Sequence, residues 1–375
     1  MQLVVYLVAG DRPTFMKIAP LYRAALKYPA VRCRIVHTGQ HYDYEMSQGF
    51  FDDLEVPPPH FFLNIGPGSH SRQTGRIMAE FEEVCTVARP DLVMVVGDAN
   101  STLACSLVAQ QLGIAVVHVE AGLRSFDRAM PEEINRLTTD AISDYFFVTE
   151  PSGMENLIRE GQPVENIHHT GPVMIDNLFH QLKMLKNEPT AAFPSAQLKA
   201  DHPDFLFLSL HHSTSVDCRQ TLSGIVEALN QIAEDRPIFF PVHPRIRQQL
   251  DAFELRLSKH IFTLPPLGYL ESLNLWKDAA AVLTDSDGLQ EETSALGIPC
   301  ITLRSNTKRP ITVDIGTNTL GGNEKSGILD AYRRTVKGRR TDYWPPEKWD
   351  GRAAERIWRL LVLRAQHSEQ ATIAC

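Results

Sequence analysis

The chain has 375 residues, 43% of them hydrophobic and 22% charged, a composition suited to a soluble globular protein with two α/β domains of ordinary size. Its formal net charge of −8 gives no electrostatic case for nucleic acid or an anionic membrane as partner. Cys33, Cys85, Cys105, Cys218, Cys300 and Cys375 form no Cys-x-x-Cys pair, so neither a zinc site nor a disulfide framework is indicated and a reduced, cytoplasmic chain is expected.

No apolar run reaches the length of about 18 residues that a transmembrane helix needs. The segment Met1 to Gly10 lacks a basic leader and runs straight into Asp11-Arg12-Pro13, which fits a first strand better than a signal sequence. That strand is Leu3 to Ala9. A tight loop follows, and Met16 to Tyr28 has helical spacing, with Ile18, Leu21, Ala24 and Leu26 apolar. Backbone N–H groups at such a helix start can hold an anion, and Arg12 and Lys17 add positive charge.

Val31 to His37 is a second strand, followed by a loop carrying Gln40 and His41. Gly66 to His70 is a turn, and Arg72-Gln73-Thr74 enters a long helix ending near Ala88. Leu92 to Val96 is a buried strand closed by Gly97-Asp98, which places a carboxylate at a strand's carboxyl end. A helix of small residues from Ser101 to Leu112 suits close packing on a sheet.

The next stretch organises the rest. Ile114 to Val119 is an apolar run suited to a buried parallel strand. The pattern breaks at Gly122 and restarts at Pro131-Glu132-Glu133, a helix start with proline and two acids at the positive end of the dipole. Glu120, Arg124, Asp127 and Arg128 crowd the loop between them. In open α/β sheets, ligands bind beyond the carboxyl ends of the strands.

Tyr145 to Thr149 is another strand, and Thr170-Gly171-Pro172-Val173-Met174-Ile175-Asp176 leads to a break in the pattern. Residues 181–203 read as a helix end and linker, with Pro189, Pro194 and Pro203. Phe205 to Leu210 opens a second alternation of strands and helices and ends at His211-His212-Ser213. Ile238 to Val242 ends at His243-Pro244-Arg245, and Leu264 to Tyr269 leads into a helix from Leu270 to Trp276. The strand Ala280 to Leu283 precedes Thr284-Asp285-Ser286-Asp287-Gly288-Leu289-Gln290-Glu291-Glu292, where Ser and Gly at a helix start make a phosphate cradle. Glu291 and Glu292, a turn later, are placed to accept hydrogen bonds from a diol. Pro299 to Leu303 is the last strand, and the basic residues from Arg333 to Arg340 read as a solvated helix face. Ala353 to Leu363 is amphipathic, and the tail after Arg364 reads as loose.

His118-Val-Glu-Ala-Gly-Leu-Arg124, followed by Pro131-Glu-Glu-Ile-Asn-Arg136, resembles the signature of the non-hydrolysing UDP-N-acetylglucosamine 2-epimerases. Other blocks recur in the same order over about residues 3–322. Gly10-Asp-Arg-Pro-Thr-Phe-Met-Lys17 resembles the family's Gly-Thr-Arg-Pro-Glu-x-x-Lys. Gly97-Asp98 resembles its Gly-Asp-x-x-(Ser/Thr)-Thr, and Thr284 to Glu292 its Thr-Asp-Ser-Gly-Gly-x-Gln-Glu-Glu. Departures stand at Asp11, Thr14, His212, Thr214, Ser215, Ser272, Asp287, Lys308 and Ile311, mostly in the half assigned to the nucleotide and diphosphate.

The resemblance implies an α/β protein of the GT-B type, two doubly wound Rossmann-like domains with a cleft between them. Residues 1–177 would carry the sugar chemistry, 178–352 the nucleotide, and 353–375 a C-terminal helix and tail. It implies inversion at C2 of a UDP-N-acetylhexosamine, with Asp98, Glu120, Glu132 and His211 catalytic. Gly10, Arg12, Lys17, Gln40, His41, Arg136, His243, Ser286, Gly288, Glu292 and Arg309 would bind substrate. A homodimer is expected, and neither a metal nor a redox cofactor is called for. A hydrolysing 2-epimerase, a glycosyltransferase on the same fold and a non-catalytic nucleotide-sugar binder stay open as alternatives.

Overall fold

The computed structural model describes residues 2–39, 51, 54–187, 193–337 and 343–373. The chain divides into two compact units, Met1–Asn177 with Glu347–Cys375, and Leu178–Pro346.

The first unit is built on a seven-stranded sheet whose paired strands are all parallel. Its strands are β1 (Leu3–Ala9), β2 (Val31–His37), β3 (Phe61–Phe62), β4 (Leu92–Val96), β5 (Ala115–Val119), β6 (Tyr145–Val148) and β7 (Ile167–His169), in the spatial order β3-β2-β1-β4-β5-β6-β7. The central strands are continuous apolar runs because both faces are covered. Val93 to Val96 of β4 are 0–2% exposed. The helices between them are α1 (Arg12–Ala25), α2 (His70–Val87), α3 (Asn100–Gln111), α4 (Pro131–Ile142), α5 (Pro151–Arg159) and α6 (Val173–Asn187). On one face Ile77 and Phe81 of α2 and Ala104, Cys105 and Val108 of α3 pack against Tyr6, Val8, Val93 and Val95.

The second unit repeats the plan with six strands. They are β8 (Leu206–Ser209), β9 (Ile238–Pro241), β10 (Ile261–Leu264), β11 (Ala281–Thr284), β12 (Cys300–Thr302) and β13 (Asn318–Leu320), in the order β10-β9-β8-β11-β12-β13. Its helices are α7 (Ala196–Asp201), α8 (Ser213–Val216), α9 (Arg219–Ile232), α10 (Pro244–Ala252), α11 (Tyr269–Trp276), α12 (Asp287–Leu296), α13 (Pro310–Asp314) and α14 (Lys325–Lys337).

The final helix, α15 (Ala353–Ile373), belongs to the first unit. Asp176 accepts hydrogen bonds from the N–H groups of Ala353 and Ala354 at 2.9 and 2.7 Å, capping it from a distant part of the chain. Trp358 is fully buried, and its indole N–H donates to the carbonyl of Leu21 in α1 at 2.7 Å. Ile357 and Leu361 are buried beside it, each worth about 1.5–3 kcal/mol as apolar burial.

Several features differ from the sequence expectation, among them the last strand, which is Asn318–Leu320 paired beside Cys300–Thr302 rather than the Pro299 to Leu303 run. Helix α1 starts at Arg12 rather than Met16, because Asp11 caps it and Pro13 sits in its first turn. The expected linker at 181–203 is in part helical, since α6 continues to Asn187 and α7 occupies Ala196–Asp201. The backbone after Arg364 stays helical to Ile373 instead of turning loose.

In each sheet the direction of winding reverses once, between β1 and β4 in the first and between β8 and β11 in the second. Such switch points open a crevice at the strands' carboxyl ends. Gly10 to Arg12 and Gly97-Asp98 occupy the first. His211-His212 and Asp285 to Gly288 occupy the second.

Candidate active site

In the first unit, β4 and β5 pair in register through Val96 and Val119, so Gly97-Asp98 and Glu120 leave the sheet side by side. Gly97 has φ +76°, and a Cβ there would lie 3.5 Å from the Lys17 ammonium and 3.8 Å from Glu120 Oε2. Those are ordinary contact distances, so it is the positive φ that favours glycine here, beneath an ion pair in which Lys17 Nζ donates to Glu120 Oε2 at 2.7 Å. Glu120 is fully buried and itself has φ +65°, an uncommon conformation for a side-chain-bearing residue and typical of functional sites.

Arg136, on the second turn of α4, ties the loops together. One guanidinium nitrogen donates to the Glu120 carbonyl, and Nη2 donates to Asp98 Oδ2 at 2.9 Å. Asn135 donates to the Asp98 carbonyl at 3.0 Å. Of the two acids that start α4, Glu133 is structural. It accepts from the N–H and hydroxyl of Ser125 at 2.8 and 2.9 Å and from the Phe126 N–H at 3.1 Å. Glu132 instead lines a cavity of about 370 Å³ with Asp98, Asp11 and His70.

Beneath the loops lies a buried brace. His118 Nε2 donates to the Gly97 carbonyl at 2.9 Å, and Nδ1 faces Asp140 Oδ1 at 2.6 Å. Asp140 Oδ2 accepts from the Gly122 N–H at 3.0 Å and pairs with Arg124 at 2.7 Å. Burial pushes the Asp140 carboxyl up, but His118 and Arg124 outweigh it and hold the group below the usual carboxylate range. Gly122 has φ +78°, and a Cβ there would fall 2.1 Å from the Gly153 carbonyl oxygen.

At β1, Asp11 is the N-cap of α1 and accepts from the N–H of Thr14 at 2.9 Å and from its hydroxyl. The two departures from the Thr-x-x-Glu pattern therefore compensate, with acid and hydroxyl exchanged across one cap. Gly10 is buried just before it. Gln40 and His41 lie outside the described residues.

In the second unit, Asp285 is fully buried and accepts from the backbone N–H groups of His211 and His212, the latter at 2.9 Å. His211 Nδ1 lies 3.1 Å from Asp285 Oδ1. That hydrogen bond raises the imidazole above its ordinary range, against an opposing effect of burial. His243 caps α10, its Nδ1 accepting from the Arg245 N–H at 3.3 Å, which leaves the ring hydrogen on Nε2. Ser286 caps α12, its hydroxyl accepting from Leu289, with Gly288 in the first turn. Asp287, the acid where the family has glycine, is met by Arg304 at 3.2 Å and Gln290 at 3.4 Å.

Glu291 and Glu292 are both buried and already engaged. Arg309 Nε pairs with Glu291 Oε1 at 3.0 Å, and the Tyr269 hydroxyl donates to Glu292. Burial drives the Glu292 carboxyl up to about 8, with Tyr269 opposing and Glu291 adding to the rise. Arg309 is 5% exposed and Glu292 3% exposed, so both sit inside this network.

The brace of His118 and Asp140 was not singled out from sequence as a working pair. Asp140 stands four residues after Arg136 on the buried face of α4, a spacing that carries the signal. Arg304 gave no sequence signal. Among the described residues no group of three or more His, Cys, Asp or Glu is arranged to hold a metal ion, and no helix is long and apolar enough to cross a membrane.

Two doubly wound units, one gathering acids and the other presenting helix starts and imidazoles at its switch point, define an α/β protein of the GT-B class. Residues 23–362 match the family described as UDP-N-acetylglucosamine 2-epimerase. The UDP-N-acetylglucosamine 2-epimerase of Methanocaldococcus jannaschii is 42% identical over 95% of this chain and 98% of its own. A crystal structure of that organism's enzyme in complex with UDP-GlcNAc and UDP superposes with a TM-score of 0.87 at 40% identity, over 96% of this chain and all of the other. The UDP-2,3-diacetamido-2,3-dideoxy-D-glucuronate 2-epimerase of Pseudomonas aeruginosa is 38% identical over 88% of this chain and 91% of its own. This chain belongs to the UDP-N-acetylglucosamine 2-epimerase family, and its class of activity is isomerisation.

Proposed function

We propose that the protein inverts C2 of a UDP-N-acetylhexosamine by eliminating and re-adding UDP. The observation that carries this reading is the convergence of Asp98 and Glu120 on Arg136, with Lys17 on Glu120 and Glu132 in the same cavity as Asp98. A C2 proton is only weakly acidic. Its removal becomes feasible when the C1–O bond to UDP breaks in the same sense, leaving a C1=C2 glycal. Delivery of a proton to the opposite face of C2 and re-addition of UDP at C1 complete the inversion.

The route needs acid and base groups on both faces of C2 and donors for the departing diphosphate. Asp98, Glu120 and Glu132 supply the first. Lys17 fixes one Glu120 oxygen, and Arg136 fixes one Asp98 oxygen, so each carboxylate is aimed rather than free to rotate. The second unit supplies the diphosphate partners, through the Ser286-capped start of α12, His211, whose raised pKa favours the cation, and His243. Glu292 and Arg309 would position the nucleoside. A homodimer is the assembly this reading carries.

A second reading keeps the chemistry and alters the sugar. It rests on the 38% identity to the diacetamido-glucuronate enzyme, which stands beside 42% identity to the Methanocaldococcus jannaschii N-acetylglucosamine enzyme. Proton NMR in deuterated water with UDP-N-acetylglucosamine separates the two. Deuterium at C2 with a UDP-N-acetylmannosamine anomeric signal supports the first reading. Turnover of only a diacetamido nucleotide sugar supports the second. Free N-acetylmannosamine with UDP would mean hydrolysis and overturn non-hydrolysing epimerisation.

A further inference from the structure

We infer that His70 presents a bare Nε2 lone pair to the sugar cavity and accepts a hydrogen bond there from a donor on the bound sugar, a hydroxyl or the acetamido N–H. The inference rests on the nucleotide-sugar reading above for its ligand, and on a chain of amides for its geometry.

That chain has both ends fixed by backbone carbonyls, which only accept. At one end Gln73 Nε2 donates to the Gly66 carbonyl at 3.0 Å, so its Oε1 faces onward. Gln73 Oε1 accepts from Asn100 Nδ2 at 2.8 Å, which turns Asn100 Oδ1 the other way. At the far end Asn135 Nδ2 donates to the Asp98 carbonyl at 3.0 Å and to Asn100 Oδ1 at 3.1 Å. Both ends agree that Asn100 Oδ1 is an acceptor. His70 Nδ1 lies 3.2 Å from that oxygen and must therefore be the N–H. In the neutral ring the lone pair is then on Nε2.

The scaffold holding this tautomer is rigid. Asn100 and Gln73 are 3% and 4% exposed, and Asn135 is 6% exposed. His70 itself is exposed and lines the cavity with Asp98, Glu132 and Asp11. Beside carboxyl oxygens, an imidazole that accepts rather than donates asks for a donor on the ligand. The Gly66–His70 turn and the α3 start thus form a wall of the cavity that reads the sugar's polar groups.

The test uses the full-length protein labelled with ¹⁵N-histidine, with the His70 signals assigned by their loss in His70→Gln. Long-range ¹H–¹⁵N correlation is expected to show Nδ1 protonated and Nε2 bare. Nε2 should then move towards the hydrogen-bonded range when UDP-N-acetylglucosamine is added. His70→Leu is expected to raise KM roughly three- to tenfold, with kcat within about threefold of the parent, the size of one lost hydrogen bond. His70→Gln, which keeps an acceptor, should recover part of that loss. A proton on Nε2, or an unchanged KM in His70→Leu, overturns the proposal while leaving the epimerase reading standing. Failure of the parent protein to bind any UDP-N-acetylhexosamine overturns the epimerase reading and the ligand half of the proposal together, with the tautomer read independently.

Discussion

Lys17 and Glu120 lie 103 positions apart in the chain and meet at 2.7 Å over the bare Cα of Gly97. The contact joins the first helix to the loop after β5 and sets a cation on a buried acid at the switch point of the sheet. Lys17→Met takes the cation from a fully buried carboxylate, so it should lower the melting temperature as well as lower kcat by about 10²-fold or more, the usual scale for a disturbed acid–base group. Lys17→Arg should recover part of it. Steady-state turnover with a thermal melt as control checks both, and a parent-like kcat in Lys17→Met would remove Glu120 from the chemistry.

Arg136→Lys keeps the charge and loses the fork that spans the Glu120 carbonyl and Asp98 Oδ2. Arg136 is 4% exposed, so Arg136→Ala removes both its bond to the Glu120 carbonyl and its pair with Asp98 and should cost about 2 kcal/mol or more in denaturant unfolding. Arg136→Lys should unfold close to the parent yet turn over at least about tenfold more slowly.

Glu292 predicts a pH dependence of stability. Its carboxyl is raised in the folded state to about 8 from an ordinary 4.5, so the folded protein holds a proton that the unfolded chain releases between those values. The contribution is full below about pH 4.5, and is lost as pH rises to about 8 at no more than about 1.4 kcal/mol per unit. Urea unfolding at intervals from pH 5 to 8.5 should show this decline, and Glu292→Gln should flatten it. An unchanged slope in the variant would place the titration elsewhere.

Gly122→Ala should be severely destabilising, because the added Cβ meets the Gly153 carbonyl oxygen at 2.1 Å and the backbone stands at φ +78°. Loss of soluble folded protein, or a melting temperature lowered by at least about 5 °C, is the expected outcome.

Much of the fold is legible in the sequence. The buried strands are long apolar runs with glycine at their ends, and Gly97-Asp98, Glu120 and Pro131-Glu132 fall where strand gives way to loop or helix. What the sequence could not convey is which partner each polar group would take. Glu132 and Glu133 are adjacent acids, yet one lines the cavity and the other closes the Ser125–Phe126 loop, because consecutive helical residues project about 100° apart. Asp287 stands where the family has glycine, and Arg304, 17 residues on and a strand away, pairs with it at 3.2 Å. The resemblance makes Lys17 and Arg309 substrate-binding cations, and the fold pairs them with Glu120 and Glu291. Pairings of this kind depend on strand order, which local pattern does not encode.

The capping of α15 by Asp176 has a consequence for how the molecule is made. Residues 178–346 are one uninterrupted segment, but the unit that holds the acids is completed only by residues from Glu347 onward. On a ribosome the later-encoded unit has all of its sequence first, while the earlier one must wait with part of α1 uncovered until Trp358 emerges to meet Leu21. The unit that gathers Asp98, Glu120 and Glu132 is thus the last to be finished, and a chain truncated before Ala353 would be expected to keep the second unit while leaving the first incomplete.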